Sequence, residues 1–176
     1  MGKAPPAWKN AGAGEEQIDF ALYHVEASGT TAEVDVIMFD KTESADGKDE
    51  TNMTQTGVLP VSQRFLIKEI RVNIDPISAA TDVQKLLDRG VFELLVNSKR
   101  MFICPAIEIL SPGTIIPAGV TQAVDHAVGM GYKLENYIML LGGVPFSVNF
   151  RTGATAASAT QDIYVTFLGE LVRPAG

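Results

Sequence analysis

The chain has 176 residues, 46% of them apolar and 20% charged, enough for one packed domain and too short for two comfortable ones. Its formal net charge of −7 comes from residues 1–50, where eleven Asp/Glu face four Lys; residues 51–176 hold ten acids and ten bases. An acidic chain without a Lys/Arg cluster repels phosphate backbones, so direct nucleic-acid binding, including basic-arm genome packaging, is not expected.

Residues 1–14, MGKAPPAWKNAGAG, are rich in Pro, Ala and Gly and show no hydrophobic period, so they read as a flexible arm ahead of a single domain over 15–176. Their opening lacks the apolar middle section of a secretory signal, and no later run approaches the ~20 apolar residues of a spanning helix. Trp8, with Lys9 beside it, is the candidate assembly contact. A lone Trp in an arm either covers an edge of its own domain or reaches a neighbour.

After the arm, alternation takes over. Ile18, Phe20 and Leu22 alternate with Asp19, Ala21 and Tyr23; Val34, Val36 and Met38 alternate with Glu33, Asp35, Ile37 and Phe39. The acidic loop 40–50 then turns at Asp46-Gly47. Leu66, Ile70, Val72 and Ile74 share one parity, interrupted by Lys68, and Glu69, Arg71, Asn73 and Asp75 take the other. A period of two places each apolar set on one face of a strand, and polar residues on the other parity imply antiparallel sheets with one wet face.

One helix is signalled over about 82–89. Thr81 with Gln84 fits a capping box, Asp82 suits the first turn, Val83, Leu86 and Leu87 form the buried stripe, and Gly90 ends the helix after Arg89. Val91–Val96 and Arg100–Ile103 flank Asn97-Ser98-Lys99 as a hairpin. Further short apolar runs, Ile107–Leu110 and Thr114–Ile116, each stop at a Pro/Gly turn, and 121–133 reads as a loop. Tyr137–Leu141, then Phe146, Val148 and Phe150, then Ile163, Val165, Phe167 and Leu171 complete eight to ten strands. That number suits a sandwich or barrel.

Residues with chemical potential are few. The single cysteine, Cys104, lies in an apolar run and reads as a small buried side chain. His24 reads as a strand-end histidine, and His126 beside Asp125 lacks the further convergent groups that zinc requires. There is no Gly-x-Ser-x-Gly turn and no phosphate loop, and Gly129-Met130-Gly131 has Leu134 where a third glycine would stand. Acids in the loop 40–50 do not follow the EF-hand spacing, so a solvated turn is expected there. GATAASAT, residues 153–160, is either mobile or lies flat in a tight interface, since small side chains permit close approach. No catalytic residue, metal ligand or cofactor is predicted, and the protein is not expected to be an enzyme.

The order of elements closes with Gly143-Val144-Pro145-Phe146-Ser147-Val148-Asn149-Phe150 and Ile163-Tyr164-Val165-Thr166-Phe167-Leu168-Gly169-Glu170. With Asn73-Ile74-Asp75-Pro76 and the short helix, this pattern over about residues 60–172 resembles the small single-jelly-roll capsid proteins of tailless icosahedral phages with an internal membrane. The resemblance implies an all-β antiparallel sandwich, a single jelly roll with one short inserted helix. It implies a virion shell subunit made in the host cytoplasm, whose partners are copies of itself and other virion proteins. It also places the subunit near a viral membrane without spanning it. A mean hydropathy of +0.13 suits a chain with much surface hidden by partners. Three other readings stay open: a decoration or fibre-base protein on a tailed phage head, a sandwich that binds sugar or calcium, and a hydrolase whose carboxylates pair only in three dimensions.

Overall fold

A computed structural model describes residues 12, 14–74, 80–109 and 131–175. Eight strands are found among them: β1 (Glu15–Ala27), β2 (Asp35–Met38), β3 (Arg64–Ile74), β4 (Val91–Val96), β5 (Lys99–Pro105), β6 (Tyr132–Leu141), β7 (Phe146–Arg151) and β8 (Asp162–Pro174). Three helical segments accompany them, α1 (Glu43–Asp46), α2 (Ala80–Leu87) and α3 (Ala106–Ile109). The strands form two four-stranded antiparallel sheets, ordered β1-β8-β3-β6 and β2-β7-β4-β5. The chain is therefore an all-β sandwich, as the alternation predicts.

The two inner faces meet in one apolar core. Phe65, Ile67, Ile70, Val72, Ile163, Val165 and Phe167 come from the first sheet; Val36, Met38, Phe92, Leu94, Phe146, Val148 and Phe150 come from the second. For β7 and β8 the observed faces are those read from the sequence, since Phe146, Val148, Phe150, Ile163, Val165, Phe167 and Leu171 are all buried. The hairpin is present as expected, but its turn is one residue shorter than read: Lys99 pairs with Val96 and opens β5. Asn97 and Ser98 both have positive φ (50° and 61°), the two-residue turn whose twist matches that of the strands it joins.

Elsewhere simple alternation fails. Phe39 shares a parity with exposed Ile37, yet it is 1% exposed and stacks on Phe167 at 5.0 Å. Its φ of +67° turns the chain just past β2 and swings the ring inward. In β3 the pairing runs Ile67 to Gly169 and then Glu69 to Leu168, so Lys68 is a bulged extra residue. The core parity before the bulge is thus Phe65 and Ile67. Leu66, expected on the core side, lies on the outer face, although neighbours cover it there. Gly169 makes the bulge possible: a Cβ at this position would lie 1.8 Å from the Leu66 carbonyl oxygen.

The helices also depart from expectation. α2 spans Ala80–Leu87, so Thr81 lies inside the helix and does not precede it as a cap. Its stripe Val83, Leu86 and Leu87 is buried as read. The left-handed residue that ends it is Arg89 (φ 63°), while Gly90 is needed for close packing, because a Cβ there would sit 2.5 Å from the Leu86 carbonyl. The run from Ile107 is not a strand: Ala106–Ile109 is the helical turn α3, whose Ala106 and Ile109 are buried. Short apolar runs do not separate strand from helix by period alone. The acidic loop contains the turn α1, with Gly47 at φ 102°. β6 begins at Tyr132, inside the segment read as a loop.

The segment 153–160 lies along α2 of its own chain. A Cβ on Gly153 would fall 1.9 Å from the Lys85 carbonyl oxygen, and Ala154 N donates to the Asp88 carbonyl at 2.9 Å. Small side chains serve close approach here, within the chain.

Candidate functional site

Two features of the sandwich have functional potential, one at each pair of sheet edges. At one rim β5, the outer strand of the second sheet, lies near β6, the outer strand of the first. Phe102 and Tyr132 meet edge-to-face across the gap at 5.1 Å. Among the described residues no strand pairs with the outer side of either β5 or β6. Met101 and Ile103 on β5 are each 49% exposed, and Ile107 on the adjoining α3 is 61% exposed. Tyr132 and Leu141 on β6 are also exposed. Met101 is the extra residue of a bulge in the β4–β5 ladder, which turns the outer edge of β5 locally. Unpaired backbone with apolar side chains is a surface that favours a further chain.

The opposite rim joins β1 to the loop after β2. His24 and Glu26 are two apart on β1, so their side chains share a face. Residues 48–53 fold back along that strand. Val25 N donates to the Glu50 carbonyl at 2.8 Å, Tyr23 N to Asn52 Oδ1 at 3.0 Å, and Asn52 Nδ2 to the Ala21 carbonyl at 2.6 Å. The Tyr23 hydroxyl donates to the Lys48 carbonyl. This fold-back and the inward turn at Phe39 bring Asp40 over the strand.

His24 Nε2 consequently lies 3.5 Å from Glu26 Oε2 and 3.4 Å from Asp40 Oδ1. Its ring is 0% exposed, packs against Phe39 at 5.5 Å, and makes no hydrogen bond through either nitrogen. Burial depresses the affinity of His24 for a proton, and the pull of Glu26 and Asp40 only partly offsets this. Lys41 stands beside the group, with Nζ 3.0 Å from Glu26 Oε2 and 2.6 Å from Glu50 Oε2. Burial opposes its charge, but the two carboxylates outweigh that and hold the ammonium strongly protonated.

From the sequence His24 reads as a strand-end histidine; in the structure it is a buried residue within β1. The readable signal was His-x-Glu on an alternating strand. Asp40 could not be assigned to it, because that contact depends on the course of the loop. Trp8, Lys9, Asp125 and His126, and the run Thr114–Ile116, lie outside the described residues. Cys104 is buried, and burial, followed by the nearby Glu108 carboxylate, pushes its thiol up to about 11. Compared with known proteins, the chain matches no family model, no curated protein and no solved structure.

Proposed function

We propose that this protein is a non-enzymatic virion structural protein, a shell subunit that packs against copies of itself and other virion proteins. The observation that carries the reading is the rim of β5, α3 and β6. There Met101, Ile103 and Ile107 are exposed on and beside a strand whose outer side has no partner among the described residues. A monomer that kept such an edge bare would be prone to unselective pairing, whereas a subunit of an assembly covers it.

The wiring supports the finer fold assignment, a single jelly roll. Strands pair first with eighth, second with seventh, third with sixth and fourth with fifth, all antiparallel. That is the pattern of one long hairpin ribbon rolled into two sheets, an architecture found in viral coats, lectins and cupins. Between the coat reading and the ligand-binding readings, the interior favours the coat. Phe39, Phe65, Phe92, Phe150 and Phe167 fill the space between the sheets where a cupin would keep a cavity. Among the described residues no helix is long and apolar enough to cross a membrane.

The test is the oligomeric state of the full chain by native mass spectrometry and electron microscopy over a concentration series. Regular oligomers are expected, with Ile103→Lys or Ile107→Lys abolishing them while leaving the melting transition in place. Wild-type protein that stays monomeric at every concentration would overturn self-assembly through this rim. Assembly undisturbed by both substitutions would do the same.

A further inference from the structure

We infer that His24, Glu26 and Asp40 form a site for one divalent transition-metal cation of the zinc type, clamping the acidic loop onto β1. This inference is independent of the assembly reading. The three ligand atoms, one from each residue, all lie within 4.8 Å of one another. Acidic groups alone would mean little; His24 is what distinguishes this cluster. A fully buried imidazole with no hydrogen bond at either nitrogen is costly, and its Nε2 is directed between the two carboxylates.

The spacing is informative. At 3.4 and 3.5 Å the imidazole is poorly placed for hydrogen bonds to the carboxylates. Those separations instead match neighbouring ligands around a tetrahedral ion, where bonds of about 2.1 Å at the tetrahedral angle put ligand atoms about 3.4 Å apart. One nitrogen with two carboxylate oxygens suits zinc, cobalt or manganese, and is a poor set for calcium or magnesium, which take oxygen alone. Three protein ligands leave a fourth position for water.

Lys41 fits this reading as the resident counter-charge. Without metal its ammonium neutralises Glu26; with metal it retains Glu50, already at 2.6 Å, and gives up Glu26. The cation would thus tie β1 to the loop segment that begins at Asp40, at the rim opposite β5 and β6.

The experiment is calorimetric titration of the metal-free full chain with Zn²⁺, with Co²⁺ as a spectroscopic probe. One ion per chain is expected, with a Co²⁺ visible spectrum of tetrahedral intensity. Asp40→Asn alters a half-exposed residue, so the fold should be kept, and it should weaken Zn²⁺ binding at least about tenfold. His24→Gln should abolish the Co²⁺ spectrum. Asp49→Asn, in the same acidic loop, and His126→Gln, at the chain's other histidine, should leave affinity unchanged. If His24→Gln fails to fold, Asp40→Asn and its two controls still decide. No stoichiometric binding, equal affinity in Asp40→Asn and wild type, or equal weakening by Asp49→Asn would each overturn the site.

Discussion

Asp82→Ala should destabilise the fold by about 2–4 kcal/mol, a prediction worked from the contacts of one buried carboxylate. Asp82 is 2% exposed, and its two oxygens accept from Ser158 N at 2.9 Å and Ala159 N at 3.1 Å. Lys85 Nζ adds an ion pair at 3.1 Å and also reaches Ser158 Oγ at 3.0 Å. Hydrogen bonds to a charged acceptor contribute about 1.5–3 kcal/mol each; the donors sit on exposed loop residues where water replaces part of the loss, hence the lower total. Asp82→Asn keeps one acceptor oxygen and should cost about half as much. Urea denaturation should show a lower midpoint with an unchanged slope, the sign of lost stability in an otherwise similar fold.

The pH dependence sharpens the test. Burial alone would raise the carboxyl of Asp82, but the Ser158 N–H and the Lys85 ammonium hold it below its ordinary value of 3.8. A depressed folded-state value means the stabilisation is fully present above the unfolded value and is lost as pH falls through the folded one. The gap between wild type and Asp82→Ala should therefore be flat near neutrality and close in acid below pH 3.8. A gap that persists unchanged to the lowest pH at which the protein stays folded, or a neutral-pH cost below about 0.5 kcal/mol, would refute the reasoning.

Three further outcomes follow from packing. Phe167→Ala should cost about 3–5 kcal/mol by thermal or urea unfolding, since it empties the core beside Phe39, whereas Thr166→Ala on the opposite face should cost less than about 0.5 kcal/mol. Gly169→Ala should cost more than about 3 kcal/mol or prevent folding, because the new methyl would meet backbone at the β3 bulge and not a side chain able to move; a near-neutral effect would place the bulge elsewhere. Cys104, with its thiol pushed up to about 11 by burial, should resist a thiol reagent at pH 8 until denaturant is added; prompt labelling of native protein would contradict its position in β5.

Side-chain alternation by itself determined that this is an antiparallel β protein, a sandwich or a barrel, and which faces of β7 and β8 are buried; the strand pairing decided for two sheets. Over Phe146–Phe150 and Ile163–Phe167 the backbone is regular, so a period of two converts directly into inside and outside. The Val83, Leu86 and Leu87 stripe of α2 was legible for the same kind of reason, with the helical period in place of the strand one. Only the tertiary structure decided where regularity breaks. A single left-handed residue buried Phe39, one extra residue at Lys68 exchanged the faces of β3, and the opposite strand supplied the glycine that the bulge requires. The same holds for the residues of the proposed metal site and the proposed assembly rim. His24 and Glu26 share a strand face that the sequence displays, but Asp40 joins them only because the loop returns along β1. The apolar residues of β5 became an exposed rim only once sheet order made that strand an edge. Period is local and survives in sequence; convergence and edge position depend on how distant segments are placed, and no local pattern encodes that placement.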